Sequence, residues 1–138
     1  MFIDRRKAEP ELYVADRGNH RIQVYGLDGT FRRVIGEDFL TSPSAFAVTG
    51  DTLVVSELYA AVALLDADDN LIATVGADPA ATERPGWPNA AADGKVDRAP
   101  VHACAFNSPH GIAADPSGAI YVSEWLVGGR LIKLEPAT

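Results

Sequence analysis

Residues 12–36 read LYVADRGNHRIQVYGLDGTFRRVIG. Three short apolar runs stand in this stretch, Leu12–Ala15, Ile22–Tyr25 and Phe31–Ile35, parted by Asp16–His20 and Gly26–Thr30. Short apolar runs bounded by Gly, Asn and Asp read as strands joined by tight turns. In Arg21-Ile22-Gln23-Val24-Tyr25 polar and apolar residues alternate, which places Ile22 and Val24 on one face of a pleated strand.

The rest of the chain repeats this unit. Leu12-Tyr13-Val14-Ala15-Asp16 returns as Leu53-Val54-Val55-Ser56-Glu57 and again as Ile120-Tyr121-Val122-Ser123-Glu124, at intervals of 41 and 67 residues. Asp28-Gly29-Thr30-Phe31 returns as Asp69-Asn70-Leu71, with Asn70 in the place of Gly29. Ser42-Pro43-Ser44-Ala45-Phe46 returns as Ser108-Pro109-His110-Gly111-Ile112. A period of about 40 residues holding four short strands fits a propeller blade and is too rich in strands for helical repeats. The expected fold is all-β, about three propeller blades with the last one incomplete.

The first strand of each blade is expected nearest the central channel and the fourth at the rim. Blade one covers 1–36, with strands Phe2–Asp4, Leu12–Ala15, Arg21–Tyr25 and Phe31–Ile35. Blade two covers 37–76, with Ala45–Val48, Thr52–Ser56, Val62–Leu65 and Leu71–Val75. Residues 77–105, rich in Pro, Ala and Gly, break the period and read as an inserted loop, with Trp87 tucked against a blade edge. Blade three covers 106–138, with Gly111–Ala114, Ala119–Ser123 and Leu131–Leu134 and too few residues after them for a rim strand. Asp115-Pro116-Ser117-Gly118 has the chemistry of a type I turn.

Composition narrows the class of function. The 138 residues carry a formal net charge of −7, which argues against a nucleic-acid partner because phosphate binding needs a basic surface. No apolar run reaches the length of a membrane span, and Met1–Glu9 lack the apolar core of a secretory signal. The single cysteine, Cys104, excludes an internal disulfide and leaves the compartment open.

Leu12–Tyr25, together with Phe106–Val122, resembles the NHL-repeat β-propellers, and the resemblance covers nearly the whole chain outside the insertion. It implies a six-bladed ring, of which this sequence supplies two blades and most of a third. A half ring leaves apolar blade faces bare at both ends. The expectation is therefore the C-terminal part of a longer propeller. The rival expectation is self-association through the exposed blade faces, with a second copy closing the ring.

Comparison between the blades sorts structural residues from site residues. Asp16, Glu57 and Glu124 occupy one position and read as acceptors for turn N–H groups. Arg21 and Arg130 open the third strand, where Val62 stands in the middle blade, and read as partners of blade carboxylates. His20 reads as a turn residue bonded to backbone. Two positions differ between blades and are the ligand-binding candidates. His110 has Ser44 as its counterpart and lies just before a channel strand, where an imidazole suits metal ligation or proton transfer. Arg17 has Leu58 and Trp125 as counterparts, and its guanidinium suits a carboxylate. A second metal arrangement combines His102 and Cys104 with His110, on the expectation that an extended segment puts the first two on one face; the alternative is a buried free thiol.

Pro109-His110, Ala15-Asp16-Arg17 and Arg21-Ile22-Gln23 also resemble the peptidyl-hydroxyglycine amidating lyases. That resemblance implies a channel zinc held by three histidines, with His110 as one ligand and Arg17 as a substrate-binding arginine. Gly111 stands where those lyases have an aspartate, and the remaining two histidines and the tyrosine have no counterpart in this sequence. Zinc is therefore expected only in a longer parent. The leading functional expectation is a scaffold that binds a protein or small-molecule ligand without a complete catalytic set. The alternative is a piece of a metal-dependent lyase-like propeller enzyme.

Overall fold

The computed structural model describes residues 1–136. The last two residues assigned to blade three, Ala137 and Thr138, lie outside the described residues. Three antiparallel sheets follow one another along the chain, in the arrangement of an incomplete β-propeller. The first holds β1 (Phe2–Asp4), β2 (Glu11–Asp16), β3 (Arg21–Gly26) and β4 (Phe31–Ile35) in that order. The second holds β5 (Pro43–Thr49), β6 (Thr52–Glu57), β7 (Ala61–Leu65) and β8 (Leu71–Val75). The third has three strands among the described residues, β9 (Pro109–Ala114), β10 (Ile120–Glu124) and β11 (Arg130–Leu134).

Strand alternation sets which side chains meet between sheets. Tyr13, Ile22 and Val24 point from the first sheet onto Phe46, Leu53, Val55 and Leu65 of the second, and this cluster excludes water. Ala47, Val54 and Val62 on the opposite face of the second sheet pack against Ile120 and Val122 of the third. Along each of these strands, residues two apart face the same neighbouring sheet. The first strands β5 and β9 lie side by side, as the strands lining a channel do.

The pairing refines the alignment of the repeats. Ala15 pairs with Ile22, Ser56 with Val62 and Ser123 with Leu131, so the residue opposite Asp16 in the first sheet, Arg21, matches Ala61 and Arg130 rather than Val62. The turn after β2 is one residue longer than the turn after β6, and a short 3-10 helix at Arg17–Asn19 takes up the difference. In the turn after the third strand, Asp69 and not Asn70 takes the place of Gly29. Asp66 N donates to Asn70 O as Gly26 N donates to Thr30 O, and Asp69 and Gly29 both have positive φ, 70° and 86°. Asp115–Gly118 closes as expected, Gly118 N donating to Asp115 O at 3.0 Å.

Residues 77–105, the stretch read as an inserted loop, hold no named strand and one short helix, α1 (Pro79–Glu83), that the sequence reading does not anticipate. Asp78 caps it by accepting from Ala80 N, and Pro79 suits its first turn. Where the loop ends, Phe106 N donates to Gly76 O at 2.9 Å, just as Leu40 N donates to Gly36 O at 2.8 Å. The loop is therefore an expanded version of Glu37-Asp38-Phe39. Trp87 holds it to the sheets: its indole N–H donates to Asn107 O at 2.9 Å and its ring meets Tyr59 edge-on at 5.3 Å.

Candidate functional site

The two equivalent glutamates explain how each first strand is positioned. Glu57 Oε2 accepts from the Thr41 N–H, the Thr41 hydroxyl and Ser42 N, the residues that lead into β5. Glu124 Oε1 accepts from Asn107 N and Ser108 N, which lead into β9. A second clasp repeats as well, Leu58 N to Ser42 O and Trp125 N to Ser108 O, both at 2.8 Å. Asp16 is shorter and instead binds within its own sheet, accepting from Asn19, Arg21 Nε and Gln23. Arg21 goes on to pair with Glu37 and Arg130 with Glu124, so both arginines serve carboxylates as expected.

These clasps put a β-bulge at the start of each of the two first strands. Pro43 pairs with Glu57 and Ala45 with Ser56, leaving Ser44 without a partner across the ladder. Pro109 pairs with Glu124 and Gly111 with Ser123, leaving His110 in the same position. A bulge turns the extra residue out of the ladder and re-aims its side chain. His110 is exposed, and its carbonyl accepts from Ser44 Oγ at 3.2 Å, which locks the two bulges together.

Arg17 reaches the same place from the first sheet. Its Nη2 lies 3.4 Å from His110 Nε2 although 93 residues separate them in sequence. A guanidinium only donates, so a hydrogen bond in this contact requires Nε2 as the acceptor. Arg17 is half-buried, and no carboxylate among the described residues forms a salt bridge with it. Of its five N–H donors, those not facing His110 remain available. The Trp125 ring meets His110 edge-on, ring centroids 6.1 Å apart, and adds an apolar surface.

Sequence reasoning singled out Arg17 and His110, and the fold brings them together. It missed Trp125 as a member of the site and Asn89 as its support. Asn89 in the inserted loop donates to Trp125 O at 3.1 Å and accepts from Val127 N at 2.7 Å, which ties the loop to the Trp125 turn. The signal available in the sequence was Trp125 itself, a large aromatic at the position where the other sheets have Leu58 and Arg17.

The second metal arrangement does not form. Residues 102–104 lie in an irregular segment rather than an extended one, and the His102 carbonyl is taken by Arg130 at 2.8 Å. Cys104 is exposed, not buried. Among the described residues no three His, Cys, Asp or Glu side chains converge to hold a metal ion. The three-histidine zinc set that the lyase resemblance implies is thus not one these residues fit. His20 behaves as a turn residue: it has φ 56° and its Nδ1 meets the carbonyl of Thr41.

At the opposite end of the first two sheets lies a buried ionic network that the sequence reading did not foresee. Arg6 grips Asp4 through two nitrogens and reaches Asp69 at 2.8 Å and the Asp66 carbonyl at 2.7 Å. Lys7 and Arg33 also reach Asp69, at 2.7 and 2.8 Å, and Arg33 pairs with Glu11 as well. Hydrogen bonds from Arg33 hold the Glu11 carboxyl below its ordinary range. Burial opposes ionisation of Asp69, but the bonds from Lys7, Arg33 and Tyr13 outweigh it and its pKa is also lowered. Burial, with Asp69 alongside, pushes the Tyr13 hydroxyl up. This network joins the sheets; its cations are all spent on carboxylates, which separates it from Arg17.

No helix among the described residues is long and apolar enough to cross a membrane. No curated protein matches the chain. The family model for the NHL repeat matches residues 11–25, so the stretch that forms β2, the Arg17 turn and most of β3 is similar to that repeat.

Proposed function

We propose that the chain is a propeller-type binding scaffold whose ligand site lies at the end where β5 and β9 begin, with Arg17 and His110 as the binding pair. The observation that supports this is their 3.4 Å approach from two different sheets, at a bulge, with no carboxylate among the described residues paired to Arg17. The site suits a small molecule or a peptide that presents a carboxylate: Arg17 supplies the charge, His110 a second polar contact and Trp125 an apolar flank. N-acetylglycine is a suitable probe. Titration into the full chain, followed by the ring resonances of His110, is expected to shift them saturably. Arg17→Ala is expected to abolish the shift while leaving the thermal unfolding midpoint unchanged. A response retained in Arg17→Ala removes this reading.

A second reading, a piece of a metal-dependent lyase-like propeller, draws on the same pair, because Arg17 and His110 are the residues that resemblance carries over. Zinc analysis separates the two. Stoichiometric zinc in an intact longer parent that is lost in His110→Ala favours the lyase-like reading, and a metal-free parent favours the scaffold.

A further inference from the structure

The inserted loop closes over a small cavity distinct from the Arg17–His110 site and from the ionic network. It measures about 90 Å³ and lies between α1 and the residues that lead into β9. That is room for about three waters, each taking about 30 Å³ in the liquid. Buried Phe106 and Asn107 line it together with half-buried Asp78, Arg84 and Arg130, and the exposed His102 lies in its wall.

The polar atoms around this cavity are not balanced. Three buried side-chain nitrogens and oxygens among the described residues have no hydrogen-bond partner: Arg84 Nε, Asn107 Oδ1 and Glu124 Oε2. All three belong to this neighbourhood. Glu124 stands beside the cavity, its Oε1 accepting from Asn107 N and its Oε2 paired with Arg130 Nη1 at 3.3 Å, so the ion pair accounts for the third atom. The other two have no such answer. Arg84 spends Nη1 and Nη2 on the carbonyls of Ala90 and Pro88, which leaves Nε as its unmet donor. Asn107 is 3% exposed, and its Oδ1 is the unmet acceptor. Buried polar groups are ordinarily satisfied, so a donor and an acceptor left open on one cavity point to an occupant that supplies both partners.

We propose that this cavity binds a small primary carboxamide of a few heavy atoms. The carbonyl of the ligand accepts from Arg84 Nε, its amide N–H donates to Asn107 Oδ1, and its apolar end lies against Phe106. The lining selects against a carboxylate of the same shape. Arg130 is already paired with Glu124, while Asp78 contributes a negative charge and Asn107 Oδ1 a lone pair, both of which repel an anion. A carboxamide turns a donor to that side instead.

The test uses the full chain with acetamide and acetate, two probes of one shape that differ in charge. In nitrogen–proton correlation spectra, acetamide is expected to shift the Arg84 Nε–H and the Trp87 indole N–H, which donates to Asn107 O, with a saturable Kd below about 10 mM. Acetate at the same concentrations is expected to leave both in place. Asn107→Leu is expected to weaken acetamide binding by about tenfold or more. If that variant does not fold, the comparison of the two probes on the unaltered chain decides alone. No saturable shift with acetamide overturns the proposal and assigns the cavity to ordered water only. A response to acetate equal to or stronger than that to acetamide also overturns it, because Asn107 then presents its donor and the site takes an anion.

Discussion

The Tyr13 hydroxyl in the first sheet donates to the Asp69 carboxylate in the second, 2.9 Å from each oxygen, and both residues are sealed from solvent. Asp69 lies in a turn with positive φ, so the backbone is bent out of its preferred region to deliver this carboxylate between three cations. Tyr13→Phe removes one donor and is expected to cost about 1–3 kcal/mol. Asp69→Ala takes from Lys7 its close carboxylate and from Arg6 and Arg33 their second one, leaving them Asp4 and Glu11, and is expected to cost about 3–5 kcal/mol. Urea unfolding of the two variants checks the order.

Acid should undo the same junction. Glu11 and Asp69 both have folded pKa values below their unfolded ones, so the unfolded chain takes up their protons first as pH falls. Their contribution is complete above the ordinary carboxylate range, about 4, and is lost progressively as pH drops through the lowered folded values. The urea midpoint is expected to be flat from neutral pH down to about pH 5 and to fall below it. Asp69→Asn is expected to start lower and to show a shallower acid limb.

The three equivalent carboxylates should differ in what they support. Glu57→Ala frees Thr41 N and Ser42 N at the head of β5 and is expected to cost about 2–4 kcal/mol. Asp16→Ala loses bonds to exposed or half-exposed side chains in its own sheet and is expected to lower the urea midpoint clearly less than Glu57→Ala does. Equal costs for the two would contradict the role assigned to Glu57.

Gly76 should tolerate no side chain. Its φ is 63°, and a Cβ there would come within 2.5 Å of the Phe106 ring, which is itself buried. Gly76→Ala is expected to destabilise the chain by about 2–4 kcal/mol through backbone strain and displacement of that ring. Gly50→Ala also has positive φ but meets nothing within 4 Å, so it isolates the backbone share, about 1 kcal/mol. Calorimetry of both variants makes the comparison.

The strands and their turns were legible in the sequence because short apolar runs recur in a fixed order and most of them are bounded by Gly, Asp or Asn. Arg17 and His110 were legible because they break an otherwise faithful repeat. The short distance between them was not, since it depends on a bulge and on how two sheets sit around a third. The one-residue slip that gives Asp69 the turn position of Gly29 was hidden by the repeated Asp-x pattern; the turn hydrogen bonds and the positive φ of both residues reveal it. The ionic network was hidden for a different reason. Arg6 and Lys7 precede a strand, where cations ordinarily face water, and Asp69 lies more than 60 residues away.

The hydrogen bond from Phe106 to Gly76 has a consequence for how such a chain can change. It pins the two ends of residues 77–105 at the spacing that Gly36 and Leu40 reach with three residues between them. Lengthening a closed loop from three to 29 residues adds only about 2 kcal/mol of closure entropy. The segment is thus a splice point: peptide of almost any length can be exchanged there while the sheets keep their register, and its variation can reshape the surroundings of Trp125 without refolding the rest.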